Sequence, residues 1–308
     1  MRVLVTGATG FVGLNLLHSM VKGKHDPVAL VRAGSPTDRL PEGVETREGN
    51  ILDPDGLRDA VGDADAVVHL AATVYPDRDM TRTNVEGTEN LLAAAEKEGI
   101  ERVVFTSTIG AHPAMETDPD STYQTSKARA EELLFGSEHS FDCSVLYPTY
   151  ILGPYDYRLT RYEHFQPVAS NRVLVPPLYT YDEFNVVHVA DVVGTIEHAL
   201  SASEPEQRYP VTGENIGHLA FLRTVAASLT GSCRVVNVPY PLLRYVGAPL
   251  IDALHRRGVS PVGSEGFLER GDYGTVPEEL AGEAPVERRS WQAAVADTAA
   301  WYRKVGLL

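Results

Sequence analysis

Cysteine is scarce. The 308-residue chain has only Cys143 and Cys233, far apart and in no Cys-x-x-Cys pair. That excludes a disulfide framework and a cysteine-built zinc site. Its ten histidines form no His-Glu-x-x-His pattern, so no metal site is expected. Positive charge is short as well: 27 Lys and Arg stand against 42 Asp and Glu, a formal net charge of −15. A nucleic-acid partner needs a basic patch and is excluded. An anionic membrane surface is disfavoured by the same repulsion. No run of about 18 apolar residues occurs, which leaves no transmembrane span. The apolar part of Met1-Arg2-Val3-Leu4-Val5-Thr6-Gly7 is too short for a signal-peptide core, so a cytoplasmic protein is expected.

What is present is ordinary globular material, 43% hydrophobic and 22% charged, long enough to bury a sizeable core in one large domain or two modest ones. Arg2–Val5, Val28–Val31, Ala66–Leu70, Arg102–Phe105 and Cys143–Tyr147 predict short apolar strands. Helical patterns fall between them, over Phe11–Met20, Asp53–Asp65, Asn84–Glu98 and Tyr123–Phe135. Uniformly apolar strands alternating with helices predict an α/β fold with a parallel sheet covered on both faces. After about residue 150 the rhythm breaks. Six Tyr lie between 150 and 181 among several Pro, and they suit either ring stacking on a ligand or packing of lobe against lobe. Val186–Val189 predicts a strand; Asp191–Leu200, Ala220–Leu229 and Trp291–Val305 predict helices. The Gly-, Glu- and Pro-rich stretch 263–285 predicts a loop or lid. His188 and Asp191 read as a strand-to-helix junction, and Trp291 and Trp301 as core anchors.

Three motifs carry chemistry. In Thr6-Gly7-Ala8-Thr9-Gly10-Phe11-Val12-Gly13, glycines recur every third residue between a strand and a helix. Such a turn brings the backbone close to a pyrophosphate and aims a helix N-terminus at it. The end of the second strand then selects the dinucleotide. No acid occurs there to hold a ribose 2′-hydroxyl, as NAD requires. Arg32 stands in its place, with Arg39 in reach, which suits the 2′-phosphate of NADP(H). The third motif is Tyr123-Gln124-Thr125-Ser126-Lys127. On a helix, i and i+4 share a face, and an ammonium beside Tyr123 should lower its pKa toward usable acid–base chemistry. Its weight comes from position, one helix beyond Phe105-Thr106-Ser107-Thr108 at the carboxyl edge of the sheet.

With Gly49-Asn50-Ile51, His69-Leu70-Ala71-Ala72, Asn84-Val85-Glu86-Gly87-Thr88-Glu89-Asn90, Tyr147-Pro148-Thr149, Gly153-Pro154, Val187-His188-Val189-Ala190-Asp191-Val192 and Trp301-Tyr302, these motifs make the chain resemble the extended short-chain dehydrogenases/reductases, an epimerase/dehydratase-like superfamily. The resemblance implies a doubly wound Rossmann domain over 1–152. A smaller, mainly substrate-binding lobe would follow over 153–308, with 183–200 returning to the Rossmann core. It also implies a homodimer. Tyr123 would transfer the proton, Lys127 would bind the nicotinamide ribose, Thr108 would hydrogen-bond the substrate oxygen and Asn84 would order the site. Gly7, Thr9, Gly10, Phe11, Val12 and Gly13 would carry the pyrophosphate. Asn50 and Ile51 would flank adenine; Leu70, Ala71 and Ala72 would line the cofactor; Pro148 and Ile151 would back the nicotinamide.

Departures bear on the substrate. Phe184-Asn185-Val186 stands where sugar-nucleotide enzymes commonly have Arg-Asp-Phe, Tyr147-Pro148 replaces a frequent Arg-Pro, and the segment from Thr108 to Tyr123 is short. These favour the branch resembling dihydroflavonol reductases and 3β-hydroxysteroid dehydrogenases. The leading expectation is therefore oxidoreduction of a small carbonyl or alcohol with NADP(H), NAD(H) remaining open. The alternatives are a nucleotide-sugar epimerase or dehydratase, and a non-catalytic dinucleotide-binding scaffold or redox sensor.

Overall fold

The computed structural model describes residues 1–74, 79–174, 183–229, 233–236, 240–257, 275–281 and 285–308. Seven parallel strands form its main sheet: β1 (Arg2–Thr6), β2 (Asp26–Val31), β3 (Glu45–Glu48), β4 (Ala66–His69), β5 (Arg102–Thr106), β6 (Asp142–Pro148) and, much later in the chain, β10 (Arg208–Val211). Their spatial order is β10-β6-β5-β4-β1-β2-β3. The five interior strands β1, β2, β4, β5 and β6 are the apolar runs of the sequence, buried along most of their length. Parallel strands need crossovers, and the crossovers are helices that cover both faces. Helices α2 (Pro54–Val61), α3 (Gly87–Glu98) and α4 (Thr122–Phe135) bury Leu57, Leu91, Ala95, Ala130 and Leu134 against one face. Helices α1 (Phe11–Met20) and α6 (Val189–Ser201) bury Leu16, Leu17, Val192 and Ile196 against the other.

Asp53 caps α2 by accepting from the Gly56 N–H, and Ser121 caps α4 by accepting from the Gln124 N–H. The helix expected from Asn84 is interrupted at its start. Residues Arg82–Glu86 form a π-helical turn before α3 begins at Gly87.

A third cluster lies apart from the sheet. Strands β7 (Tyr150–Leu152), β9 (Glu183–His188) and β11 (Glu214–Gly217) form a small sheet, with β9 parallel to β7 and antiparallel to β11. Helices α5 (Tyr162–Ser170), α7 (His218–Ser228) and the C-terminal helix Trp291–Lys304 complete it, around Phe165, Phe184, Phe221, Trp291, Trp301 and Tyr302. The chain enters this lobe after β6, returns to the main sheet through α6 and β10, and leaves again at β11. The junction is fixed by side chains. His188 accepts from the Ala190 N–H through Nδ1, and its Nε2 lies 3.0 Å from Asp297 on the last helix. Asp191 accepts from the backbone and guanidinium of Arg289 at 3.0 and 3.2 Å.

Four of the six tyrosines between 150 and 181 pack. Tyr150 packs on His164 and Phe184, Tyr155 on His18, Tyr157 on Trp301 and Tyr162 on Tyr302. The other two lie outside the described residues, as does most of the loop or lid expected over 263–285. Among the described residues no helix is long and apolar enough to cross a membrane, and no group of three or more acidic, His or Cys side chains could hold a metal.

Candidate active site

The carboxyl ends of β1, β2, β4, β5 and β6 open into one cleft of about 610 Å³. Neighbours β1 and β4 sit where the strand order reverses, the crevice in which doubly wound sheets bind ligands.

The floor of the cleft is the glycine turn. Gly7 has φ 67°, a left-handed conformation, and a Cβ there would lie 2.7 Å from the Ala71 N. A Cβ on Gly13 would lie 2.4 Å from the Gly7 carbonyl oxygen, so only glycine lets α1 seat against the turn. No side chain caps α1, and its first helical bond runs from the Leu14 N–H to the Gly10 carbonyl. The N–H groups of Phe11, Val12 and Gly13 precede that bond in residues that line the cleft. A free helix N-terminus with a positive dipole end is the donor set a pyrophosphate needs. The Thr106 hydroxyl, in another lining residue, is buried with no partner among the described residues. The chain's residues therefore fit a dinucleotide.

One side wall of the cleft is backed by residues 84–90. Asn84 is 1% exposed and lies behind the cleft rather than on its surface. Its Oδ1 accepts from the Thr73 N–H at 2.8 Å, and its Nδ2 donates to the Thr73 carbonyl and to Ser126 Oγ on α4. Thr88 donates to the Asn84 carbonyl at 2.7 Å, so its oxygen accepts from His69 Nε2 at 3.0 Å. That sets the neutral tautomer, leaving Nδ1 to accept from Thr6 Oγ1, which accepts in turn from the Leu70 and Ala71 N–H groups. Burial holds the His69 pKa down at about 3. Asn90 donates to the Ile51 carbonyl. Asn50 accepts from the Leu52 N–H.

Thr108, Tyr123 and Lys127 all line the cleft. Thr108 ends the run from β5, and Tyr123 and Lys127 project from the inner face of α4. Burial raises the Tyr123 phenol to about 12, against a smaller lowering by the Arg161 charge. Burial lowers Lys127 to about 7, partly offset by Glu131. The expected lowering of the Tyr123 pKa by Lys127 is thus corrected. The Lys127 ammonium sits 4.0 Å from the centre of the Phe105 ring, and desolvation dominates both groups.

A model of the NAD dependent epimerase/dehydratase family matches residues 3–212. The chain belongs to that family. It is an NAD(P)-dependent enzyme of the extended short-chain dehydrogenase/reductase type. Sterol demethylase protein B of Methylococcus capsulatus is 30% identical over the whole of both chains. A 3-beta-hydroxysteroid dehydrogenase of Mycolicibacterium neoaurum is 28% identical, covering 74% of this chain and 70% of its own. The fold matches a Thermus thermophilus UDP-glucose 4-epimerase in complex with NAD, with a TM-score of 0.71, 23% identity and full coverage of both chains.

Within this epimerase/dehydratase-family chain, the remaining residues singled out in the sequence also gather here. Thr9, Arg32, Asn50, Ile51, Leu70, Ala71, Ala72, Pro148 and Ile151 line the same cleft. Arg39 does not line it. It borders a side cavity of about 310 Å³ shared with Arg32, its guanidinium 4.2 Å from the centre of the Tyr157 ring.

Two features escaped the sequence reading. Glu131, one turn beyond Lys127, is buried and accepts from Ser107 and from the Tyr147 hydroxyl, the latter at 2.7 Å; burial raises its pKa. The other is the loop 155–161. Tyr155 and Leu159 hold left-handed φ values of 71° and 58°, a strain that only a well-anchored loop retains. Its anchor is Asp156, fully buried, which accepts from Thr160 Oγ1, the Arg161 N–H and the Tyr302 hydroxyl at 3.0, 3.1 and 3.0 Å. The partner on the last helix is 146 residues away, so no local pattern announces it.

Proposed function

We propose that the protein is an NADP(H)-preferring oxidoreductase that interconverts a carbonyl and an alcohol on a small organic substrate. The observation that carries this reading is the convergence of Thr108, Tyr123 and Lys127 in the cleft that also receives the uncapped end of α1. When bound, the dinucleotide would supply or accept the hydride. Thr108 would donate its hydroxyl hydrogen to the substrate oxygen. Tyr123, protonated throughout the neutral range, would give its proton to the same oxygen during reduction. Lys127 would hold the ribose hydroxyls. The NADP(H) preference rests on Arg32, which is exposed at the end of β2 and lines both cavities, with Arg39 beside it. The name of the Mycolicibacterium relative supports hydroxyl and ketone chemistry; the likeness to the Thermus epimerase concerns the fold.

Reduction of a panel of ketones and aldehydes, followed by oxidation of NADPH and NADH, tests the reading. Tyr123→Phe should lower kcat by about a hundred-fold or more while cofactor binding and fold persist. Near-wild-type turnover in that variant would overturn the mechanism. NAD that survives purification firmly bound, with no net turnover, would favour the epimerase alternative. The expected homodimer belongs to the same proposal, and light scattering would measure it.

A further inference from the structure

Among the described residues four cations line the cleft: Arg32, Lys127, Arg158 and Arg161. Arg32 and Arg158 also border the side cavity at the far end, and Lys127 stands with Tyr123. Arg161 remains, and the proposed function gives it no task. Its place is well fixed. Its N–H is held by Asp156 at 3.1 Å, its Nε donates to the Ile151 carbonyl at 3.2 Å, and its guanidinium lies 4.0 Å from the centre of the Tyr150 ring. Asp156 fixes the backbone, and the Ile151 carbonyl and the Tyr150 ring orient the side chain without neutralising it. Both Asp156 oxygens are taken by Thr160, the Arg161 backbone and Tyr302. Among the described residues no carboxylate forms an ion pair with Arg161, in a chain with 42 acids against 27 bases. The guanidinium lines the same cleft as Tyr123, and its charge lowers the phenol's pKa against the larger effect of burial. A stacked, pre-oriented guanidinium beside a proton donor matches a planar anion bidentately.

We propose that Arg161 binds a carboxylate of the organic substrate, so that the compound turned over is an oxo or hydroxy acid rather than a neutral ketone or alcohol. The proposal rests on the oxidoreductase reading for the reaction but not for the binding. With Lys127 assigned to the ribose, one fixed guanidinium is left for the substrate, which suits a monoanion. The other anion within the same cleft would be the pyrophosphate of the dinucleotide, and the experiment separates the two.

The full chain is saturated with NADPH and titrated calorimetrically with benzoate and hexanoate, and with benzamide and hexanamide as neutral mimics. Turnover is read in parallel on benzoylformate and levulinate against their methyl esters. The acids should bind on the order of ten- to a hundred-fold better than the amides, the range of one charge-assisted contact. Arg161→Gln should abolish that difference with NADPH affinity unchanged. Arg161→Lys should restore part of it, since the charge stays and the fork is lost. Acids and amides binding alike, or neither binding, would overturn the proposal. Unchanged selectivity with weakened NADPH binding in Arg161→Gln would also overturn it and assign the guanidinium to the pyrophosphate. Acid selectivity without hydride transfer to any oxo acid would uphold the anion site and sink the redox reading alone.

Discussion

Tyr123 and Lys127 share the inner face of α4, yet burial moves them in opposite senses. The phenol keeps its proton to about pH 12, whereas the amine gives its proton up near 7. The sign follows from one cause, since a dry environment disfavours whichever form is charged. In the proposed reaction the free enzyme would therefore enter reduction with the acid already loaded. Its kcat/KM should fall above about pH 7 as Lys127 loses its charge, because that ratio reports free-enzyme ionisations. In Lys127→Met the inflection near 7 should vanish and turnover should drop. Arg32 gives a second test at the same scale. A guanidinium–phosphate contact contributes roughly 1.5–3 kcal/mol, on the order of ten- to a hundred-fold in affinity. Arg32→Asp should weaken NADPH at least about ten-fold by calorimetry and leave NADH similar or better. Equal wild-type affinities would show that Arg32 takes no part in the choice.

At the scale of elements, the π turn before α3 is what joins three parts of the cleft wall. Asn84 in that turn ties the segment following β4 to α4 through Thr73 and Ser126. Asn84→Ala removes the buried amide that bonds the Thr73 N–H, the Thr73 carbonyl and Ser126, and should cost about 2–4 kcal/mol. Calorimetric unfolding should show a Tm lower by several degrees, with secondary structure otherwise kept. Much of this framework is readable in the sequence. Strands β1, β2, β4, β5 and β6 are apolar because both faces are covered, and the glycine turn has the one spacing that lets α1 sit on it. Edge strands hide. Strand β3 reads Glu45-Thr46-Arg47-Glu48 and is largely exposed, and β10 carries Pro210, so neither has an apolar signature. The cleft residues between 6 and 13, at 108 and at 123–127 are local motifs and can be found by eye. Asp156, Arg161 and Glu131 cannot. Their roles depend on partners brought together by the fold, and a lone acid or arginine in a Tyr-rich loop has no periodic neighbour to mark it.

At the scale of the whole molecule, acid should be the main threat to stability. His69, His164 and His218 are buried in both lobes, with pKa values held at about 3, about 3 and about 4, chiefly by desolvation. Each is depressed below its unfolded value near 6.5. The stability each contributes is complete above that value. It is lost as pH falls toward the folded pKa, because only the unfolded chain takes up the proton in that window. The slope is about 1.4 kcal/mol per pH unit for each histidine. Thermal unfolding between pH 7 and 4 should therefore show Tm falling steadily below about 6.5, and more gently in a His164→Gln variant. A flat profile over that range would show these rings are not held neutral.

The last helix touches the rest of the protein at telling places. Tyr302 reaches Asp156, Asp297 reaches His188, and Arg289, just before the helix, reaches Asp191. On the ribosome, the glycine turn and the first six strands of the sheet emerge long before these residues exist. A nascent chain can thus form its dinucleotide crevice early, while the strained loop that carries Arg161 waits for residue 302 to be made and to clear the exit tunnel. Synthesis builds the glycine-turn side of the cleft first and completes the wall at 155–161 only once Tyr302 has followed.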